Sequence, residues 1–236
     1  MSKSAGVLAG LLIPAIFVAG AIAIPAAAQE KKAAQRTQKV FIDNDKVRVT
    51  DTTFKPGEVS PSIERPYRIT RVIKGGKTVR TYPDGKTVER EFKTGEVFAA
   101  GPDKPYSAKS ISKTDIVLYS VNLKKVKGTA PVAMTKPQAT PADPKKASLN
   151  VLLENDAVRV YEARIPVGTE AANIPRPYRI GRALRGATIQ RIYADGKTET
   201  VEWKAGDVKA LGPDRQYKPK NIGKTDFHLY VVEIKG

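Results

Sequence analysis

The sequence is one unit written twice. Residues 40–124 return as residues 151–235 at a constant offset and without a gap. Arg-Pro-Tyr-Arg-Ile at 65–69 returns at 176–180, Asp-Gly-Lys-Thr at 84–87 returns at 195–198, and roughly 39 of the 85 aligned positions are identical. A fixed period of this kind indicates one structural unit made twice, so we expect two domains of the same fold.

The repeats divide the chain into five predicted segments. These are an N-terminal segment at 1–28, a polar tail at 29–38, a first domain at 39–124, a linker at 125–149 and a second domain at 150–236. The linker is rich in Pro, Ala, Thr and Lys, so it lacks the apolar surface that a packed element needs. Its length allows the two domains to pack on one another but does not require it.

The N-terminal segment has the pattern of an export signal. Lys3 precedes an apolar run over 5–24, and the three alanines at 26–28 are small enough for cleavage before Gln29. We therefore expect a periplasmic protein. The alternative is an uncleaved membrane anchor, because about 20 apolar residues can span a bilayer. The chain has no cysteine, which excludes disulfides and thiolate metal sites.

The charge balance of the chain favours anionic partners. It carries 41 Lys and Arg against 24 Asp and Glu, a formal net charge of +17. A soluble surface with dispersed lysines accounts for the same surplus without any partner. No block of basic residues interleaved with aromatic residues is present, so we expect no nucleic-acid partner.

Short strands are predicted throughout both repeats. Runs rich in β-branched and aromatic residues, such as 67–73, 78–82 and 116–123, are bounded by Gly- and Pro-containing turns. Pro-Asp-Gly at 83–85 lies between two such runs and predicts a hairpin. No amphipathic helical period follows the N-terminal segment. The fold class is therefore all-β, as a small antiparallel sandwich or barrel.

These strands and turns resemble the cupin superfamily. The resemblance covers both repeats, and in the first repeat it rests on the segments 44–49, 56–58, 75–76, 82–87 and 93–98. It implies two cupin-like antiparallel β-barrels of jelly-roll type in tandem after the N-terminal signal segment. It also implies a metal site built from three histidines and one glutamate, as in many cupins.

Other residues occupy the metal-ligand positions that the resemblance implies. In the first repeat the histidine positions hold Ile63, Arg65 and Tyr106, and the glutamate position holds Ile69. Their counterparts in the second repeat are Ile174, Arg176, Tyr217 and Ile180. Arginine and isoleucine offer no lone pair to a metal ion. We therefore expect no metal site and no cofactor, and we do not carry the metal-dependent activities of cupins over to this chain.

Strand alternation predicts an anion site inside each barrel. Same-parity residues share a face, so Tyr67, Ile69 and Arg71 are expected to point inward with Arg65. A guanidinium fits a carboxylate or phosphate in a bidentate way. The predicted ligand-binding residues are Arg65, Arg71 and Tyr106 in the first repeat, and Arg176, Arg182 and Tyr217 in the second. Arg80 and Arg191 are further candidates, on a strand whose phase is ambiguous.

Two alternatives to this site are open from the sequence alone. Acidic residues of the same repeat can neutralise the arginines; the candidates are Asp45, Glu64, Glu91, Asp115, Asp156, Glu202 and Asp226. A β-bulge at Pro66 would instead shift the strand phase and place Arg71 outside the barrel.

The residues favour binding over catalysis. His228 is the only histidine and has Val117 as its counterpart, so we interpret it as an ordinary strand residue. No nucleophile or general-base arrangement stands out, which leaves enzyme activity uncertain. The favoured function is capture of a small anionic ligand in or between the barrels. The alternatives are a scaffold or interaction module of the cell envelope, including self-association through the barrel sheets, and a metal-independent isomerase or epimerase.

Overall fold

The computed structural model describes residues 37–125 and 143–235, which belong to one compact unit. The predicted signal segment and residues 126–142 of the linker lie outside the described residues. Strands begin at Thr37 and Ser148, two residues before each predicted domain boundary. In the described ranges we find no helix of the length and apolarity needed to cross a membrane.

The first repeat folds into nine strands. They are β1 (Thr37–Asp43), β2 (Val47–Phe54), β3 (Ile63–Arg65), β4 (Arg68–Lys74), β5 (Gly76–Thr81), β6 (Thr87–Phe92), β7 (Val97–Ala100), β8 (Asp103–Ser110) and β9 (Ile116–Leu123). One sheet has the order β1-β2-β9-β4-β7 and the other the order β3-β8-β5-β6, and all neighbours are antiparallel. The Pro-Asp-Gly turn joins β5 to β6, with Gly85 at a φ of +82°. Glycine adopts this left-handed conformation without steric cost.

The second repeat reproduces this arrangement with one strand fewer. Its strands are β10 (Ser148–Glu154), β11 (Val158–Ile165), β12 (Arg179–Arg185), β13 (Ala187–Tyr193), β14 (Thr198–Trp203), β15 (Val208–Leu211), β16 (Tyr217–Asn221) and β17 (Phe227–Ile234). The sheet orders are β10-β11-β17-β12-β15 and β14-β13-β16. Only an isolated bridge between Arg176 and Asp214 remains where the first repeat has β3.

The two sheets of each repeat face one another across a core. In the first repeat Phe54 and Val72 of the larger sheet pack with Phe92 and Tyr106 of the smaller one. In the second, Ile165 and Phe227 pack with Ile189 and Trp203 in the same way. The predicted all-β, jelly-roll fold class is confirmed. We refer to residues 37–124 as barrel 1 and residues 148–235 as barrel 2.

The larger sheets of the two barrels pack against each other. Their contact is a shared core of buried residues contributed by both repeats: Val47, Val49, Tyr67, Ile69, Tyr119, Val121, Leu123, Leu153, Val158, Val160, Ile180, Tyr230 and Val232. The rings of Tyr119 and its counterpart Tyr230 meet edge to face, with centroids 6.0 Å apart. Each larger sheet is therefore buried on both faces, one toward its own barrel and one toward the other repeat.

Reciprocal polar contacts connect the two repeats across this core. Arg71 pairs with Glu162 at 2.6 Å, and its counterpart Arg182 pairs with Asp51 at 2.6 Å and 3.1 Å. Asp51 and Glu162 are themselves equivalent positions, as expected of a self-complementary interface. The prediction that Arg71 and Arg182 face the barrel interiors is wrong.

A phase change at Pro66 explains this difference. Arg65 ends β3, and β4 begins at Arg68 after two residues that belong to no strand. Even-numbered residues of β4, such as Arg68 and Thr70, line the barrel cavity, whereas Tyr67 and Ile69 belong to the core between the repeats. Arg65 and Arg71 therefore do not share a face, although both have odd numbers.

Candidate functional site

Each barrel encloses a cavity between its two sheets. The first cavity, in barrel 1, has a volume of about 320 Å³, and the second cavity, in barrel 2, about 230 Å³. Exposed residues line part of each, including Ile63 and Glu64 in the first and Leu149 and Ala172 in the second. Both cavities therefore reach the surface and are large enough to admit a small molecule.

Three arginines surround one tyrosine in the first cavity. The guanidinium carbon of Arg65 lies 3.7 Å from the ring centroid of Tyr106, and that of Arg80 lies 4.8 Å from it. Arg68 Nη2 donates to the hydroxyl oxygen of the same tyrosine at 3.4 Å. We call Arg65, Arg68, Arg80 and Tyr106 the first cluster. The aromatic face attracts the cations that stack on it.

Main-chain carbonyls hold Arg65 in place. Its Nη1 donates to the carbonyl oxygens of Ile63 and Tyr106 at 2.9 Å and 2.8 Å, and its Nη2 donates to Ser60 Oγ at 3.1 Å. Ile63 and Tyr106 are register partners in the pairing of β3 with β8. The pairing of β3 with β8 therefore positions this guanidinium over the tyrosine ring.

Asp103 is the carboxylate of the first cluster. It accepts a hydrogen bond from Arg68 Nη2 at 2.8 Å, and the Arg68 side chain is only 10% exposed. The turn that delivers Asp103 contains Gly101, whose φ is +84°. A Cβ at Gly101 would lie 2.6 Å from the carbonyl oxygen of Pro66 and 3.1 Å from Arg68 Nη1. Only glycine allows this close approach, so the Gly-Pro-Asp sequence is part of the site.

The second cavity contains the same cluster. The guanidinium carbons of Arg176 and Arg191 lie 4.4 Å and 4.9 Å from the ring centroid of Tyr217. Arg179 Nη2 donates to the hydroxyl oxygen of Tyr217 at 3.2 Å and to Asp214 at 2.8 Å. We call Arg176, Arg179, Arg191 and Tyr217 the second cluster. Two independent copies have thus kept three guanidiniums and one internal carboxylate.

Positive charge exceeds negative charge in both clusters. Among the described residues, Arg80 and Arg176 form no ion pair with any carboxylate. Burial lowers the pKa of Arg176, and its Nε atom is buried without a hydrogen-bond partner among these residues. Arg191 has a carboxylate, Glu199, at 3.6 Å, but that glutamate side chain is 57% exposed. A half-buried guanidinium without a carboxylate is costly, and an anion entering the cavity would offset that cost.

Four of the six predicted site residues lie together in the cavities. Arg65 and Tyr106 line the first cavity, and Arg176 and Tyr217 line the second. The other two, Arg71 and Arg182, lie between the repeats, as described above. Arg80 and Arg191, whose strand phase was ambiguous from sequence, also line the cavities.

Sequence reasoning missed Arg68, Arg179 and their carboxylates Asp103 and Asp214. Strand alternation places Arg68 on the face opposite Arg71, and because both faces of the larger sheet are half apolar, alternation does not say which of the two is inside. Neither Asp103 nor Asp214 was among the acidic residues considered as internal partners. The sequence did contain a signal for these two carboxylates, because Gly-Pro-Asp occurs in both repeats at the same offset.

The residues present do not fit the metal site of the fold family. At the ligand positions, Ile63 and Arg65 meet Tyr106 across the β3–β8 pairing, and none of them is an imidazole or carboxylate. Ile69, at the glutamate position, is buried between the repeats rather than in the cavity. The described ranges contain no group of three or more His, Asp or Glu that could hold a metal ion. The first cavity therefore presents cations where a metal site presents ligands.

His228 lies outside both clusters and belongs to the contact between the repeats. Its Nε2 atom is 2.8 Å from Glu162 Oε2, and Arg71 reaches the other oxygen of the same carboxylate. The hydrogen bond with His228 and the neighbouring Arg71 lower the pKa of Glu162 to about 2. This histidine therefore orients, from within barrel 2, the carboxylate that pairs with Arg71 of barrel 1.

Solved structures with the same arrangement of strands identify the fold. A Cupin 2 conserved barrel domain protein from Leptotrichia buccalis has a TM-score of 0.52 at 13% identity, over 86% of this chain and 91% of its own. AerE from Microcystis aeruginosa has a TM-score of 0.56 at 13% identity, over 87% of this chain and 95% of its own. The chain has a duplicated cupin fold.

Oxalate decarboxylase from Bacillus subtilis also has a similar fold. It has a TM-score of 0.55 at 10% identity, over 86% of this chain and 78% of its own. No protein-family model matches the sequence, and no curated protein is similar to it. At these identities the likeness concerns the fold alone.

Proposed function

We propose that this duplicated cupin is an anion-binding protein that holds a small carboxylate or phosphate in each barrel, against the arginines around Tyr106 and Tyr217. The observation that carries this proposal is Arg176. It lines a cavity, has no ion pair among the described residues, and keeps a buried Nε atom without a partner. An anion in the cavity would balance the positive charge of this guanidinium.

The first cluster supports the same function independently. Arg80 lines the first cavity and is held by the Tyr106 ring rather than by a carboxylate. Asp103 is the carboxylate of the cluster, and Arg68 already engages it at 2.8 Å. Because Arg68 already engages Asp103, this carboxylate is not free to act as a general base, and we propose binding rather than turnover.

Calorimetric titration with phosphate, oxalate and citrate tests the proposal. We expect at least one of the three anions to bind the purified protein with a Kd below about 1 mM, and the affinity to fall with added salt. Arg80→Gln and Arg176→Gln should each lower the number of bound anions from two toward one. Circular dichroism would confirm that the variants keep their fold.

Arg185→Gln is the matched control. It removes the same charge from an exposed arginine that lines neither cavity, so anion binding should stay unchanged. If none of the three anions binds, or if Arg185→Gln weakens binding as much as Arg176→Gln does, the proposal is wrong. Surface charge would then account for the affinity.

Export is a separate proposal that rests on residues 1–28. We propose that this segment directs the chain across the inner membrane and is removed before Gln29. Expression of the full sequence in a Gram-negative bacterium, followed by intact-mass measurement of the periplasmic and membrane fractions, tests it. A periplasmic species that begins at Gln29 is expected, and a membrane-bound species that retains residues 1–28 would instead indicate an anchor.

A further inference from the structure

The two cavities share their clusters but differ in their walls. Apart from Tyr106 of the first cluster, five positions of the first cavity carry hydroxyl groups, namely Thr50, Thr52, Thr70, Thr78 and Ser120. The equivalent positions of barrel 2 hold Tyr161, Ala163, Gly181, Ile189 and Val231. Four of the five hydroxyls have therefore been replaced by carbon or hydrogen, while the arginines and the tyrosine have been kept.

Aromatic packing makes the second cavity still more apolar. Gly181 occupies the position of Thr70, and a Cβ there would lie 3.2 Å from the ring of Trp203. Trp203 takes the place of Phe92 and packs against Phe227, with the ring centroids 5.8 Å apart and the ring planes inclined at 47°. The glycine thus makes room for the larger ring. Leu211, Leu229 and Val231 form an apolar wall beside the second cluster; Ser148 and Glu170 also line the cavity, and Glu170 pairs with Lys220 at 3.4 Å.

Hydroxyls in the first cavity are available to a ligand. Thr70 and Ser120 bond to each other at 3.0 Å, and Gln38 donates to Thr52 at 3.2 Å. Thr50 and Thr78 line the same cavity and are buried, with exposures of 1% and 2%. Polar groups in a largely buried wall are stabilised by a partner that can donate and accept hydrogen bonds.

We infer that the two barrels bind different classes of anion, the first a hydroxylated carboxylate such as a sugar acid, and the second a carboxylate on an aromatic ring or short hydrocarbon chain. This inference rests on the proposed function, because the clusters supply the charge recognition in both cases. The walls supply the discrimination. Hydroxyl groups on the ligand would meet Thr50 and Thr78 in barrel 1, whereas they would lose hydrogen bonds against Ile189 and Trp203 in barrel 2.

The volume of the second cavity fits such a ligand. An apolar protein cavity of about 150 Å³ accepts one benzene molecule, which corresponds to about 25 Å³ for each non-hydrogen atom. The 230 Å³ of the second cavity would then hold on the order of nine such atoms, the size of a benzene ring with a short carboxylate side chain. The first cavity is larger, and can take a longer polyhydroxy acid.

Titration with phenylacetate and gluconate tests the inference, since the two probes carry one carboxylate each. We expect phenylacetate to bind one site, and Arg176→Gln to weaken that binding at least tenfold while Arg80→Gln leaves it unchanged. We expect the reverse pattern for gluconate. Methyl resonances of Ile189 and of Val231 should shift on phenylacetate addition, because both residues line the second cavity.

Exchange of one wall residue between the barrels provides matched variants. Ile189→Thr gives barrel 2 the residue that barrel 1 has at Thr78, and Thr78→Ile does the opposite, so each side chain is already accommodated at the equivalent position. Ile189→Thr should weaken phenylacetate binding about tenfold and leave phosphate binding unchanged. Thr78→Ile should weaken gluconate binding in the same way.

The outcomes separate this inference from the proposed function. If phosphate, oxalate or citrate binds but both barrels accept phenylacetate and gluconate equally, the division of ligand classes is wrong and anion binding stands. Loss of phenylacetate binding in Arg80→Gln rather than Arg176→Gln would also overturn it. If no anion of either set binds, the proposed function fails, and the second cavity is merely the imperfectly packed interior of barrel 2.

Discussion

The carboxylate of Glu162 provides a quantitative test of how the barrels are held together. Its pKa is lowered to about 2 by the hydrogen bond with His228 and by Arg71, and its side chain is 15% exposed. An unperturbed glutamate titrates near about 4.3, so the ionised form contributes about 3 kcal/mol to the free energy of unfolding at neutral pH. Glu162→Gln should therefore lower the stability at pH 7 by about 3 kcal/mol.

The pH dependence of this difference follows from the sign of the pKa shift. A lowered carboxylate pKa stabilises the fold above the unfolded-state pKa, and the stabilisation is lost as pH falls toward the folded-state pKa. With pKa values of about 2 and about 4.3, the contribution should decrease from about 3 kcal/mol at pH 7 to about half of that at pH 3. Urea unfolding of both proteins, followed by circular dichroism between pH 7 and pH 3, measures it.

Glu89→Gln is the control for this experiment. Glu89 pairs with Lys77 on the surface, at 3.1 Å and with its side chain 54% exposed. Its removal should change the stability by less than about 1 kcal/mol at any pH in the series. A difference between wild type and Glu162→Gln that stays constant from pH 7 to pH 3 would refute the linkage argument. A negligible difference at pH 7 would refute the assignment of the Arg71–Glu162–His228 contact as a stabilising one.

Two further substitutions test the packing around the clusters and between the barrels. Gly101→Ala should lower the free energy of unfolding, measured in urea, by at least about 2 kcal/mol more than Gly85→Ala does. Both glycines have a φ above +80°, but only at Gly101 would the new Cβ meet an atom, the Pro66 carbonyl oxygen at 2.6 Å. Equal losses in the two variants would argue against the close approach. Tyr119→Phe and Tyr230→Phe should each change the free energy of unfolding by less than about 0.5 kcal/mol, because each hydroxyl is buried without a partner among the described residues. A loss above about 1 kcal/mol in the same assay would indicate a bridging water molecule.

The repeat made the fold predictable from the sequence. It showed two equal units, and the β-rich runs between Gly- and Pro-containing turns indicated that each unit is built from antiparallel strands. Local chemistry was sufficient here, because a hairpin such as the one at Gly85 is specified by the residues of the turn itself. The interest of Ile63, Arg65 and Tyr106 as possible metal-site positions came instead from the resemblance to the cupin superfamily.

The sequence could not specify which face of the larger sheet lies inside the barrel. Residues such as Arg68 and Arg71 belong to opposite faces of β4, and both faces are buried, one by the cavity and one by the other repeat. The alternation of apolar and polar residues distinguishes the two faces of a strand only when one face is exposed to solvent. Arg71 was therefore predicted in a cavity that Arg68 actually lines.

The sequence alone determined the duplication and the all-β class, since these depend on residue identity and on turns of a few neighbouring residues. Only the tertiary structure decided that the larger sheets pack on each other and that the phase changes at Pro66. It also revealed that Arg68 and Arg179 complete the clusters with Asp103 and Asp214. These contacts join residues about 35 or more positions apart, and their geometry follows from how whole sheets pack rather than from any local pattern.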